Sequence, residues 1–144
     1  MYKPEISDLC FRCGTEEGSF VHCTWQCTKV KTFWWDICDT LTKILDRPFP
    51  LDPEVCLLGN FTSISRRLRR HQIKFIEVAL GVARKCISIT WKSDSLLPIA
   101  RWFSEMNSCV PLEKITYSLR NVPDTFLKIW QPYLDYIETV SLAD

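Results

Sequence analysis

Four residues that commonly bind metal ions lie within eighteen positions near the start of the chain. Cys10 and Cys13 are separated by two residues, and His22 and Cys27 follow closely. A Cys-x2-Cys turn presents two thiolates to one ion, and structural zinc sites hold four such ligands in a tetrahedron. Gly14 directly follows the second cysteine and suits a tight turn with positive φ. The pattern predicts a Zn²⁺ knuckle whose folding depends on the metal.

The spacing leaves the ligand set open, because Cys23 lies beside His22. A four-cysteine site made of Cys10, Cys13, Cys23 and Cys27 is an alternative, and so is a chance grouping of cysteines without metal. A catalytic zinc is disfavoured, since it keeps an open coordination position and a neighbouring acid or base. Arg12, between the first two thiolates, is expected to offset their negative charge.

The composition and the first residues predict the cellular compartment of the protein and the state of its cysteines. The first ten residues contain no apolar signal core, so we expect an intracellular protein of the nucleus or cytoplasm, with its eight cysteines reduced. We expect the cysteines outside the metal cluster to pack as small apolar residues. No run of eighteen apolar residues is present, which predicts no membrane partner.

Apolar residues recur at three- and four-residue steps after Cys27, which is typical of helices with one buried face. The predicted helices span about residues 28–47, 63–91, 97–120 and 124 onwards, with a short turn at 51–58 and a connector at 93–98. Thr28 is the expected N-cap of the first helix, Ser63 or Ser65 that of the second, and Pro111 and Pro132 are expected to interrupt the last two. The predicted fold is mainly α, with a zinc knuckle (residues 1–29) followed by a domain of four to five helices (residues 30–144).

A basic segment lies between Glu54 and Glu77, where the sequence has no acidic residue. The candidate phosphate contacts in this segment are Arg66, Arg67, Arg69, Arg70 and Lys74. Positive charge at a helix N-terminus opposes the helix dipole, so a bound anion such as phosphate would stabilise it. The alternative is a solvated helix face. Weaker candidates for nucleic-acid contact are Arg12, Lys29 and Lys31, with Trp25 and Trp35 as exposed aromatic side chains.

The sequence contains none of the common catalytic signatures. The phosphate-loop, GxGxxG, HExxH and GxSxG patterns are absent, and His22 and His71 are the only histidines. We therefore expect a protein that is not an enzyme.

The residues from Cys10 to Cys27 read CFRCGTEEGSFVHCTWQC. This stretch resembles the zinc-binding segment at the C-terminus of LINE-type (non-LTR) retrotransposon reverse transcriptases, which reads CxxCG, then HxxWxC, then an apolar helix with an aromatic residue. Further segments that are similar to that C-terminal domain lie, in the same order, at residues 50–53, 57–60, 91–93, 113–120 and 126–136. The resemblance covers nearly the whole chain.

The resemblance implies a helical domain that binds element RNA or target DNA in support of target-primed reverse transcription. By position it implies Cys10, Cys13, His22 and Cys27 as metal ligands, which favours His22 over Cys23. The polymerase and endonuclease domains of the family are missing here, so the rest of such a polyprotein is an implied partner. Pro111 falls where related sequences continue a helix, which predicts disturbed packing there. The alternative function is a protein-interaction module, a folded remnant or host-retained domain, with a purely structural zinc.

Overall fold

The computed structural model describes residues 8–91 and 97–143 and is mainly helical. Its α-helices are α1 (Thr28–Leu45), α2 (Pro53–Cys56), α3 (Arg70–Ile89), α4 (Ile99–Leu119) and α5 (Pro123–Ala143). A π-helical turn (His22–Gln26) precedes α1, and a 3-10 turn (Ser65–Arg67) precedes α3. An isolated antiparallel bridge joins Leu9 to Glu17. The predicted fold class, a Cys/His cluster followed by helices, is confirmed.

Helix α1 begins at Thr28, one residue earlier than a Thr28 N-cap would require, so the predicted cap is wrong. Cys27 is the N-cap, with an extended backbone (φ −55°, ψ 130°), and its carbonyl accepts a 2.7 Å bond from the Lys31 amide. The helix ends where Asp46 adopts a left-handed conformation (φ 54°), ahead of Pro48. The start of α1 therefore fixes the backbone of one candidate metal ligand.

Helix α3 begins at Arg70, so the predicted start at Ser63 or Ser65 is wrong. The chain is extended at Arg69 (ψ 160°), and the amide of this residue donates a 2.9 Å bond to Oε1 of Gln72. That capping interaction sets the start of the helix. Three of the predicted phosphate contacts, Arg66, Arg67 and Arg69, consequently lie in the turn before α3. Residues 93–96 of the predicted connector lie outside the described part of the chain, as do the matched residues 92 and 93.

Both prolines that were expected to interrupt helices lie inside continuous ones. Helix α4 runs through Pro111, and α5 runs through Pro132. Each proline removes one backbone hydrogen bond, to the carbonyl four residues earlier. Pro111 and Asn107 are both exposed, so water can bond the carbonyl that is left without its helical partner. The predicted interruptions are therefore wrong.

One buried cluster joins the N-terminal knuckle to the helices. Its largest fully buried side chains are Trp34, Trp102, Trp130, Tyr133, Phe33 and Phe75. The indole of Trp102 on α4 donates a 2.9 Å bond to the carbonyl of Ala79 on α3. Cys10, Trp25 and Cys27 belong to the same cluster, and the predicted boundary between residues 29 and 30 falls inside α1. No helix among the described residues has the length and apolarity that crossing a bilayer requires.

Candidate metal centre and basic surface

The ligand atoms of Cys10, Cys13, His22 and Cys27 all lie within 4.8 Å of one another. Sγ of Cys13 is 3.3 Å from Nε2 of His22. In a tetrahedral site with Zn–S bonds of about 2.3 Å and Zn–N bonds of about 2.0 Å, neighbouring ligand atoms are roughly 3.5 to 3.8 Å apart. Three thiols and an imidazole are also the ligand types that zinc prefers. This cluster could hold a metal ion, and its geometry is compatible with zinc.

A short hairpin brings the first two cysteines together. The amide of Cys10 donates to the carbonyl of Glu16 (2.9 Å), and the amide of Gly14 donates to the carbonyl of Cys10 (2.8 Å). Gly14 has a φ of +68°, which a residue with a side chain adopts only with strain. At Gly18, a Cβ atom would lie 3.0 Å from the carbonyl oxygen of Asp8. The two glycines therefore allow the tight hairpin that the Cys-x2-Cys turn requires.

The π-helical turn explains why the second pair of candidate ligands is spaced by five residues. The amide of His22 donates to Oγ of Ser19 (3.1 Å), and the amide of Cys27 donates to the carbonyl of His22 (2.8 Å). A bond between residues five apart defines the wider π turn, in which the side chains of His22 and Cys27 lie closer to the same side than they would in an α-helix. An α-helix would turn them about 140° apart.

Cys23 is the residue that the sequence left as an alternative ligand, and it is not part of the cluster of four. It is half-buried, and burial raises the pKa of its thiol to about 11. Backbone N–H groups of Thr15 and Glu16 instead lower the pKa of Cys13 to about 5. The structure thus brings together the His22 version of the predicted ligand set, with Cys13 in surroundings that favour a thiolate.

Arg12 is buried, with 3% of its surface exposed, although it was a predicted nucleic-acid contact. Its Nη2 donates to the carbonyl of Ile87 (3.0 Å) and to Oγ1 of Thr90 (2.6 Å), at the C-terminal end of α3. Burial lowers the pKa of the guanidinium, while attraction to Cys27 and Cys10 opposes that shift. The guanidinium ties the knuckle to α3 and is not presented to a phosphate in solvent.

The predicted aromatic contact, Trp25, is also buried, with 7% exposure, so the expectation that it is exposed is wrong. Its ring packs against that of Trp34, with centroids 5.6 Å apart. Nζ of Lys31 lies 4.1 Å from the centroid of the Trp25 ring, a cation–π contact. Lys29 and Lys31 are both half-buried. Trp35, the other predicted aromatic, is 58% exposed.

All five predicted phosphate contacts of the basic segment are exposed. Together with Arg47 they form what we call the basic surface: Arg47, Arg66, Arg67, Arg69, Arg70 and Lys74. A cavity of about 370 Å³ lies in this surface. It is lined by Arg47, Pro48, Phe49, Ile64, Arg66, Arg67, Leu68 and Arg69. Sequence reasoning missed Arg47 because only a long-range contact brings the segment after α1 to the turn before α3.

The metal cluster and the basic surface lie at opposite ends of α3. Arg12 in the knuckle bonds to Ile87, whereas Arg70 is the first residue of the helix. At 1.5 Å per residue, these two positions are about 25 Å apart along the axis. The metal cluster and the basic surface are therefore two separate features of the structure.

No known family model matches this chain, and no solved structure matches it. The relation to LINE-type reverse transcriptases remains a prediction that depends on the sequence motifs described above.

Proposed function

We propose that this chain is a non-catalytic, zinc-dependent nucleic-acid-binding domain of retrotransposon reverse-transcriptase origin. The basic surface is the observation that carries the proposal. Within residues 8–91 and 97–143 the ion pairs are Lys43–Asp39 and Lys85–Glu105, so the cations of the basic surface have no acidic partner there. Six uncompensated cations on adjoining segments form an electrostatic footprint for a polyanion.

The position of these charges relative to α3 supports phosphate as the anion. The first turn of α3 contains no acidic residue and begins with Arg70. Positive side chains here oppose the helix dipole, typically by 0.3 to about 1 kcal/mol each, and a bound phosphate reverses that cost. Arginine also binds phosphate oxygens in bidentate fashion, which a lysine ammonium does not.

Zinc has a structural role in this proposal. The knuckle contacts α3 at Ile87, about 25 Å along the helix from its first residue, so the metal cluster lies at the end of α3 away from the proposed phosphate contacts. Its ion would stabilise the knuckle, which holds the far end of α3 through Arg12. In a parent polyprotein, the domain would hold element RNA or target DNA for target-primed reverse transcription, with catalysis carried out by other domains.

The test measures binding of labelled single-stranded RNA and duplex DNA to the zinc-loaded chain by fluorescence anisotropy at several salt concentrations. The variant replaces Arg66, Arg67, Arg69 and Arg70 with Gln. Because the salt slope is about 0.7 per phosphate contact for single strands and about 0.9 for B-DNA, losing four contacts would lower it by up to about 3 for single strands and about 4 for B-DNA.

The matched control removes the same charge from exposed positions elsewhere, at Arg101, Lys114, Arg120 and Lys128. We expect the control to retain the wild-type salt slope, since a general charge effect would change both variants alike. An equal decrease of the salt slope in both variants would refute the proposal. A wild type that binds neither nucleic acid would also refute it.

A second candidate function is a protein-interaction module, and an exposed apolar stripe on α4 favours it. Leu112, Ile115 and Leu119 are 67, 56 and 82% exposed and follow the spacing of one helix face. Exposed apolar groups that adjoin in this way often mark protein contacts. Partner binding that is insensitive to salt and is lost when all three become Gln would favour this function over the first.

A further inference from the structure

We infer that the cavity in the basic surface, here called the arginine pocket, holds one unpaired nucleotide of a single-stranded nucleic acid. This inference rests on the proposed function and names the form of nucleic acid. The pocket combines an apolar lining with a cationic rim. Cations alone are enough to bind the backbone of a duplex, whereas an apolar lining is also suited to an unpaired base.

The dimensions and lining of the arginine pocket suit a planar group with an attached anion. Its volume of about 370 Å³ lies at the small end of the range typical of ligand sites. Its apolar lining comes from Pro48, Phe49, Ile64 and Leu68. Phe49 and Ile64 are 8 and 6% exposed, so they form firmly packed walls, while Leu68 is half-buried and remains accessible. A base would bury its apolar faces against these groups.

The four arginines of the pocket come from two segments of the chain. Arg47 follows α1, while Arg66, Arg67 and Arg69 lie in the turn before α3. No acidic side chain lines the pocket, and among the described residues these guanidinium groups form no ion pair. A nucleotide within a strand has a phosphate on either side of its sugar, so cations from two segments match two phosphates.

The segment that carries Arg47 is held in place before any ligand binds. The amide of Arg47 donates to the carbonyl of Thr42 (3.3 Å), and the amide of Phe49 donates to Oγ1 of the same threonine (3.1 Å). This fixed geometry reduces the entropy lost on binding.

A paired base cannot enter such a pocket unless it leaves the stack. Extruding a base from a duplex costs a few kcal/mol, whereas a base in a single strand is already accessible. Among nucleic acids, the arginine pocket therefore favours a single strand over a duplex.

The experiment compares a short single-stranded oligonucleotide, its abasic counterpart with the same number of phosphates, and a blunt duplex, each as a fluorescent probe for the zinc-loaded chain. DNA and RNA versions of the single strand are both tested. We expect the intact strand to bind about fivefold more tightly than the abasic strand. Packing of one base against protein side chains typically strengthens binding by at least that factor. We also expect it to bind more tightly than the duplex.

The variant Arg47→Gln should lower the salt slope for the single strand by about 0.7, the value for one phosphate contact. Arg101→Gln is the matched control, because Arg101 is exposed and lies near Cys86, which is sixteen residues beyond Arg70 on α3 and therefore far from the arginine pocket. Leu68→Gln should reduce the preference for the intact strand over the abasic one. The abasic comparison needs no variant, so it remains decisive if a substitution disturbs folding.

Equal affinity of the wild type for intact and abasic strands would overturn the pocket inference while leaving nucleic-acid binding in place. Equal or tighter binding of the duplex would do the same, and so would an unchanged salt slope for Arg47→Gln. A wild type that binds none of the probes would overturn both this inference and the proposed function.

Discussion

Replacing Arg12 with Met should destabilise the whole chain, although Arg12 lies in the short N-terminal knuckle. Met fills a similar length of side chain but removes the charge and both donated bonds. The bonds to Ile87 and Thr90 span 75 and 78 residues and attach the knuckle to the end of α3. If the cluster holds zinc with three thiolates, the ion and its ligands have a net charge of about −1, which the buried guanidinium balances.

The expected cost follows from the bonds that are lost. A hydrogen bond that involves a charged group contributes about 1.5 to 3 kcal/mol, and breaking a buried charged pair costs roughly 3 to 5 kcal/mol. We therefore expect a loss of about 3 kcal/mol. For a chain of this length, each kcal/mol lowers the melting temperature by about 3 to 4 °C, so the total shift is roughly 10 °C. Removal of a group that supports the metal ligands typically weakens metal binding by about 10- to 100-fold.

The assay records thermal unfolding of the zinc-loaded protein by circular dichroism, and zinc affinity by competition with a chromophoric chelator. Arg101→Met is the control, because Arg101 is exposed and its loss should leave both quantities close to wild type. A shift below about 2 °C for Arg12→Met, together with unchanged zinc affinity, would show that neither the two bonds nor the charge balance matters as argued.

Two further perturbations test other parts of the structure. Cys13→Ser should abolish stoichiometric zinc binding and also lower the melting temperature of the helices, because Cys10 and Cys27 share their buried cluster; helices that melt as in wild type would refute this coupling. Tyr133→Phe should cost about 1 kcal/mol in urea unfolding at neutral pH, since the hydroxyl of Tyr133 donates a 2.7 Å bond to Asn107. Burial raises the pKa of Tyr133, so its neutral form stabilises the fold below the unfolded pKa of about 10, and that contribution is lost at higher pH. The stability difference between wild type and Tyr133→Phe should therefore shrink or reverse above about pH 10, and a constant difference would contradict the argument.

Local spacing predicted the features that depend on neighbouring residues. The interval between His22 and Cys27 matches the π-helical turn that aligns them, and Gly14 has the positive φ that the Cys-x2-Cys turn required. The apolar periodicity likewise predicted the helices. It gave less information about their ends, because the start of α3 depends on a side-chain cap from Gln72 to Arg69.

The errors concern residues whose surroundings are set by distant parts of the chain. Arg12 was expected to contact phosphate and Trp25 to be exposed, and both are buried because the knuckle packs on α1 and α3. Arg47 had no local feature that linked it to the basic segment. Pro111 and Pro132 were expected to interrupt helices because each proline removes a backbone hydrogen bond. Packing of the helix on either side of each proline outweighs that cost.

Packing of the knuckle on the far end of α3 would couple a metal ion held in the cluster to the proposed binding surface. Arg12 bonds to Ile87 and Thr90, while the arginine pocket adjoins the first residues of the same helix. A metal ion about 25 Å away contributes little direct electrostatic attraction to phosphate, because that distance is more than twice the Debye length at physiological salt. If the cluster holds zinc as proposed, the ion would therefore act on the basic surface through the folded population of α3. Loss of zinc would then reduce the fraction of binding-competent protein, while the affinity of each folded molecule would be unchanged.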